Sequence, residues 1–451
     1  MPTVRPRRLG AAVFLACAAG LAAACSTSVS DPNIVSPGAL TSASGLTTVL
    51  NGAVGDFAYA FAGNNGTEGV ILLGGLRADE YRNSDYFDTR IQVDRGRILT
   101  TNGSVDSLFA NLNIARRSAE LASSTFATSA PSDYRRARAL NVGAYTYVLL
   151  AETFCSGIPF TNLQSNGSGF DYGVPRTTQE VFAIAKARFD TAATIASAAL
   201  KGGGAGAQQE LYLAQVGRAR ALLGMGQWAA AAASVAGVPS SFSYEVEYSE
   251  NTNRENNGVF QFNAQDQRWS VADNEGVNGL PYISARDPRV PVTDAGTTGV
   301  DAQTELFVLG KYTSLSSPIV LASGVEARLV EAEAALNASG GAAAALATLN
   351  QLRATLGTGA DTLRPQADQP AQVRQLMAER AFWMFATGHR LGDMRRMVRP
   401  APTGYGFAIT SVFPTGPYPK GGAPYGTEVN LPITVNELNN PNFKQCIDRT
   451  T

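Results

Sequence analysis

Apolar residues recur at helical spacing along most of the chain. Between Asp106 and Ser123, Leu108, Leu112, Ala115 and Ala119 share one face. Between Asp133 and Phe154, Ala137, Leu140, Ala144, Tyr147, Val148 and Ala151 do the same. Thr177 followed three residues later by Glu180 is a capping box, in which each side chain satisfies the other's free backbone N–H. It predicts a helix running to about Leu200, stopped by the glycine-rich run from Gly202 to Gly206. A last long helical stretch, Gln369 to Met397, is broken near Gly388.

Two further stretches read as helix pairs. From Gln208 to just beyond Val238, Ala219, Leu222, Gly226, Trp228, Ala231 and Pro239 sit near the spacing of a tetratricopeptide repeat. There small residues let antiparallel helices touch and the aromatic fills the gap. The second pair covers Gly324 to Leu356, with Leu329, Ala332, Ala335 and Leu336 on one helix and Leu346, Leu349 and Leu352 on the other. Between the helical stretches lie polar, Gly- and Asn-rich segments: Ala78–Ser104, Ser156–Arg176, Ser240–Thr304 and Pro400–Pro432. The alternation Gly258-Val259-Phe260-Gln261-Phe262 predicts a strand inside the longest of them. Ordered loops this long usually carry function. The expectation is a mainly α fold, with tetratricopeptide-like helix pairs as scaffold and a loop-rich second layer containing short strands. A ligand site is expected on the loops.

The N-terminus changes the picture. Arg5, Arg7 and Arg8 precede an uncharged stretch from Leu9 to Ala24, the pattern of a secretory signal. It ends Leu21-Ala22-Ala23-Ala24-Cys25, small residues before a cysteine, which resembles the lipobox of bacterial lipoproteins although Leu usually lies one position closer. Cys17 is the poorer acceptor, because bulky Phe14 and Leu15 precede it. Residues 1–24 are therefore expected to be a signal peptide and Cys25 the lipidated residue. Residues 25–36 would be a flexible tether, and 37–451 one domain with insertions at about 78–104, 240–304 and 400–432. An ordinary secretory signal with an incidental Cys25 is the plainer alternative. Acyl chains would anchor the protein rather than make it span, and no later uncharged apolar run reaches 18 residues. Cys155 and Cys446 remain; a disulfide and two buried thiols both stay open.

Composition narrows the partners. The chain has 451 residues, of which 45% are apolar and 16% charged, with formal net charge −1. Loss of the three N-terminal arginines from 36 basic residues leaves 33 against 37 acidic, a net of −4. Phosphate binding needs concentrated Lys and Arg, so nucleic acid is not expected as a partner. A neutral ligand such as a sugar fits.

Several segments, taken in order, resemble a known family. Arg138–Tyr147 leads to Ala151-Glu152-Thr153-Phe154-Cys155-Ser156-Gly157-Ile158-Pro159-Phe160, a helix ending in a Gly-x-Pro turn. Pro175–Phe182 opens the next helix, and Asp287-Pro288-Arg289 forms a turn. Arg328-Leu329-Val330-Glu331-Ala332-Glu333-Ala334 is a Glu-Ala-Glu-Ala helix. Glu379-Arg380-Ala381-Phe382-Trp383, Gly388-His389-Arg390 and Asp393-Met394-Arg395-Arg396 follow, then Leu431-Pro432-Ile433 and Asn440-Pro441-Asn442. Together these resemble the SusD/RagB nutrient-binding lipoproteins. The chain departs from that family at Leu391-Gly392, where an aromatic is common, at Thr434, where a second proline is common, and in lacking acidic residues after Cys25. The resemblance implies a lipid-anchored outer-membrane protein without catalytic activity. It would bind oligosaccharide or peptide nutrients and deliver them to a TonB-dependent transporter of the SusC type. A lipoprotein glycan hydrolase and a helical-repeat scaffold for other envelope proteins are the alternatives.

The chemistry-bearing residues agree with binding rather than catalysis. His389 is the only histidine, and its place beside Arg390 and Asp393 reads as a structural hydrogen-bonding role. Multi-histidine zinc sites are excluded. A glycosidase needs only two carboxylates, and Asp79-Glu80, Asp85 with Asp88, and Asp273 with Glu275 are candidates, but solvated loop acids are the simpler reading. No cofactor is expected. Asn83, Asp85 and Asp88 offer oxygens to calcium without the EF-hand spacing. Sugar recognition asks for aromatic faces beside amides and guanidinium groups. Two segments supply the mixture: Arg77–Arg97, with Tyr81, Arg82, Asn83, Tyr86, Phe87 and Arg90, and Asn263–Arg289, with Gln265, Arg268, Trp269, Asn274, Asn278 and Tyr282. The expected ligand contacts are Tyr81, Arg82, Asn83, Tyr86, Phe87, Arg268, Trp269, Asn274 and Tyr282, while Trp228 and Trp383 are expected in the core.

Overall fold

The computed structural model describes residues 37–64, 66–164, 168–357 and 361–449. The expected signal peptide, Cys25 and the tether lie outside the described residues. Twelve helices form the body: α1 Ala43–Ala62, α2 Val70–Arg77, α3 Asp88–Arg95, α4 Gly103–Ser129, α5 Tyr134–Thr153, α6 Thr178–Lys201, α7 Ala207–Gly224, α8 Trp228–Val235, α9 Gly324–Leu336, α10 Ala342–Ala354, α11 Gln369–Trp383 and α12 Arg390–Val398. From α4 to α10 each helix packs against the next, which makes a stacked array of helical hairpins.

Local signals set the boundaries. Asn102, Asp133, Ser323 and Asp368 each accept a backbone N–H as the N-cap of α4, α5, α9 and α11. Thr177 and Glu180 form the capping box at α6. The close approach of α6 and α7 depends on Gly217, where an added Cβ would lie 2.3 Å from the Phe189 ring. Gly226 turns the chain between α7 and α8 at φ +69°, a conformation that favours glycine. Trp228 is half-buried and stacks on Tyr405 at 5.5 Å. One large apolar core runs through α1 to α9, and a second joins α9, α10, α11 and α12.

The motif residues of the C-terminal half are joined by ion pairs. Arg289 of the Asp-Pro-Arg turn reaches Asp287 at 2.6 Å and Glu379 at 2.7 Å. Arg396 pairs with Glu333 at 2.7 Å, and Arg380 with Asp393 at 2.8 Å. His389 is buried, lies 2.9 Å from Arg220 and 3.2 Å from Glu326, and its other ring nitrogen meets Thr387. That is the structural role expected of it, tying α7, α9 and α12 together.

The polar segments form the second layer through short antiparallel strands. Among them are β1 Tyr81–Asn83, β2 Ser243–Val246, β3 Trp269–Val271, β4 Val292–Thr298, β5 Glu305–Leu309 and β6 Ile319–Ser323. They pair β1 with β3, β2 with β6 and β4 with β5. The strand expected at Gly258–Phe262 is not formed. Asn257 accepts the Phe260 N–H and starts a helical turn, which continues as a wide turn of helix through Gln261–Gln265. Val259 and Phe262 are both buried, at helical rather than alternate spacing. Cys155 and Cys446 form a disulfide that fastens the C-terminal segment beside the end of α5.

Candidate functional site

The two segments singled out for ligand contact meet. Tyr81, Arg82 and Asn83 pair in register with Val271, Ser270 and Trp269. After β1 the chain folds into a polar turn. Asn83 Oδ1 accepts the Asp85 N–H at 3.0 Å, and Asp85 Oδ1 accepts the Phe87 N–H at 2.8 Å. This turn leaves Tyr86 and Phe87 outward, 64% and 46% exposed, stacked with ring centres 5.2 Å apart.

Beneath the pair lies a column of alternating cations and rings. The Arg90 guanidinium is 4.9 Å from the Phe87 ring and 5.1 Å from both Phe262 and Trp269. Arg268 lies 5.5 Å from the Phe87 ring. Asp85 bonds Arg90 and, at 2.6 Å, Arg268, and Glu68 pairs with Arg90 at 2.5 Å, so two carboxylates balance the two cations. Burial pushes the Asp85 carboxyl up, but the Arg268 and Phe87 hydrogen bonds and the two arginine charges outweigh that and hold it below the usual carboxylate range. A third insertion arrives through Lys420, which donates to Asp85 O at 2.7 Å and to Asp301 at 2.6 Å. Three segments far apart in sequence therefore converge on Asp85. Lys420 and Asp301 carried no sequence signal, because nothing local links position 420 to position 85.

The nine expected contacts divide. Tyr86, Phe87 and Asn274 are exposed, and Arg82 and Arg268 are half-buried. Tyr81, Asn83, Trp269 and Tyr282 have no exposed surface, and their contacts hold the loops. Trp269 packs edge-on to Phe262 at 4.9 Å, and Tyr282 lies 4.7 Å from Phe385 and donates to Asp79. Asn83 holds the turn just described. Arg82 pairs with buried Glu275 at 2.7 Å. Asn274 bonds Asp273 on the far side of β3.

The reading of the loop acids as solvated is also corrected, except at Asp88, which is exposed, and Asp273, which is half-buried. Asp79, Glu80, Asp85 and Glu275 are buried. Asp79 makes a two-pronged pair with Arg390 at 2.6 and 2.8 Å. Glu80 accepts the Ala386 N–H at 2.9 Å, and burial pushes its pKa up to about 8. Asp94 accepts from Asn83 N–H and Tyr418 O–H; burial, with Glu275 nearby, pushes it up to about 7. Among the described residues no group of three or more His, Cys, Asp or Glu is placed to hold a metal, and no helix is long and apolar enough to cross a membrane.

No protein-family model matches the sequence, and no curated protein matches it. Solved structures do resemble it. A SusD-like carbohydrate-binding protein from Bacteroides vulgatus superposes with TM-score 0.61 at 15% identity, covering 89% of this chain and 97% of its own. A SusD-like protein from Bacteroides fragilis gives 0.64 at 12% identity, covering 92% and 98%. Surface glycan-binding protein A from Bacteroides uniformis gives 0.63 at 13% identity, covering 90% and 99%. At these identities the likeness establishes the fold, over nearly the full length of each.

Proposed function

We propose that this chain, which has the SusD/RagB fold, is a nutrient-binding lipoprotein of that family and takes a glycan on the Tyr86–Phe87 platform. The observation that carries the reading is the exposed aromatic pair at the junction of three insertions. A sugar ring presents C–H groups to an aromatic face, and such a face backed by oriented polar groups is the make-up of a ligand site. Arg90 and Asp85 fix the platform from below, so little side-chain entropy remains to be lost on binding. Two of the solved structures that share the fold are a carbohydrate-binding protein and a surface glycan-binding protein, which supports the ligand class.

The protein is read as a binder without catalysis. Asp85, the carboxylate beneath the platform, has no exposed surface and is committed to two arginines. Lipidation at Cys25 and hand-over of the glycan to a SusC-type TonB-dependent transporter at the outer membrane are part of the same proposal, supported by the lipobox pattern and the family resemblance. Native gels containing soluble starch, xylan, galactomannan or mixed-linkage β-glucan test the ligand reading. The intact chain is expected to be retarded by at least one of them. Tyr86→Ala and Phe87→Ala are expected to weaken that retention about tenfold, the scale of one aromatic contact, with unchanged melting. Unaltered retention in both variants would remove the platform, and release of reducing ends would make the protein a hydrolase.

A further inference from the structure

A cleft of about 540 Å³ opens along the first turns of α4, away from the platform residues. Its walls are α4 itself, the Asn162–Leu163 and Phe170–Asp171 hairpin, and the C-terminal turn at Thr434–Glu437. We propose that this cleft is a second sugar-binding subsite, taking one neutral ring of the glycan through Phe170, Asn162, Arg117 and Glu437.

Its frame is rigid and fully bonded. Arg116, buried at the floor, donates to Thr161 O at 3.0 Å and to Asn162 Oδ1 at 3.1 Å, and pairs with Glu120 at 3.0 Å. Asp106 accepts from Thr434 at 2.5 Å and from Asn436 at 2.7 Å, which fixes the opposite wall. Against that frame three polar groups keep spare hydrogen-bonding capacity, although Arg117 also lies 3.9 Å from Glu120. Asn162 uses only its oxygen, accepting from Arg116 and, at 3.0 Å, from Arg117. Its amide nitrogen makes no hydrogen bond among the described residues. Arg117 donates through one nitrogen only, and the Glu437 carboxyl has no hydrogen-bond partner there. Burial and Asp106 raise the Glu437 pKa, while Arg116 lowers it.

An aromatic face completes the set. Phe170 is 55% exposed and lies 6.0 Å from Tyr172, itself 43% exposed. The volume lies within the range of small-molecule sites. An amide, a guanidinium and a carboxyl beside an exposed ring is the chemistry that reads hydroxyl groups. The cleft is also tied to the platform, because Asn102, the N-cap of α4, donates to Thr89 O at 2.8 Å and to Gln92 at 3.0 Å. A long chain could then be held at two points, which raises retention without any new contact type.

The test is an array of linear α-glucan, xylan, mannan and β-glucan oligosaccharides of increasing length, probed with the full chain. Phe170→Ala and Glu437→Gln, both surface changes, are expected to weaken binding of the longest oligosaccharides about tenfold and short ones little. Combined with Tyr86→Ala and Phe87→Ala, Phe170→Ala is expected to remove the weak binding that remains. Unchanged array binding in Phe170→Ala and Glu437→Gln, with loss in the platform variants, overturns the cleft and leaves the platform standing. Loss only in the cleft variants supports the cleft and sinks the platform. An intact chain that binds nothing overturns both. Weaker capture of a barrel transporter by the cleft variants, with array binding unchanged, also overturns the subsite and makes the cleft a protein contact.

Discussion

Replacing Trp269 with alanine tests whether this buried indole supports the platform or touches the ligand. Trp269 has no exposed surface, packs edge-on to Phe262 at 4.9 Å and carries the Arg90 guanidinium at 5.1 Å. Its indole N–H has no hydrogen-bond partner among the described residues, so truncation forfeits packing and a cation–π contact but no hydrogen bond there. Deleting a buried Trp side chain costs about 3–5 kcal/mol in lost transfer energy and residual cavity. For 451 residues at about 2.1 cal/mol/K per residue, the unfolding entropy is roughly 0.95 kcal/mol/K, so cooperative melting would fall by about 3–5 °C. The same loss falls on Arg90 and hence on Phe87, so glycan retention should weaken as well. Trp269→Phe keeps a ring under Arg90 and should restore most of both. Differential scanning calorimetry and glycan-containing native gels read the two effects. A Trp269→Ala variant that melts within 1 °C of the parent would refute the packing account. A Trp269→Phe variant with parental melting but no retention would show direct contact with the ligand.

Three other perturbations give distinct outcomes. Glu80, raised by burial from the usual carboxylate range to about 8, favours folding while protonated; that contribution is complete below pH about 4.5 and is lost as pH rises through about 8. Glu80→Gln should therefore flatten the fall in melting temperature between pH 6 and 9, and equal slopes in parent and variant would contradict this. Reduction of the Cys155–Cys446 disulfide, with its separation of 291 residues, should lower stability by up to about 5 kcal/mol if chain entropy governs; melting with and without dithiothreitol checks it. Glu333→Gln would strip the carboxylate from buried Arg396 and its neighbour Arg380. It should cost about 3–5 kcal/mol by leaving charge uncompensated, read as a lower urea midpoint with ligand retention unchanged at low urea.

The helices at Gly103–Ser129, Tyr134–Thr153, Thr178–Lys201 and Gln369–Trp383 were legible because each carried two agreeing local signals, an apolar stripe and a cap. Asn102, Asp133, Thr177 and Asp368 sit at their helix starts in the structure as polar residues just before periodic segments. The stretch at Gly258–Phe262 misled because its alternation was read without Asn257, whose side chain commits the next residues to a helical turn. The motif residues were legible as important but not as to why. Arg289, Glu333, Glu379, Arg380, Asp393 and Arg396 are conspicuous charges in sequence, and in the fold they neutralise one another inside the C-terminal helices.

At the site, composition located the segments but not the outward side chains. Both faces of β1 are covered, since Tyr81 and Asn83 are buried on one side and Arg82 is held by Glu275 on the other. Alternation therefore does not expose every second residue, as it would on a strand with one solvated face. What does decide exposure is the turn after it. With Asn83 and Asp85 each capping a backbone N–H two residues on, the next two side chains are forced off the body, and they are the two aromatics. An aromatic pair forced outward costs solvation that a merely structural loop would avoid by placing Ser or Gly there. The same turn carries the Asp85 carboxylate, which together with Glu68 on Arg90 cancels the charge of the two arginines beneath the rings. A platform neutralised from below favours an uncharged partner over an anionic one, which is why the sugar reading outweighs an acidic ligand despite the three cations nearby.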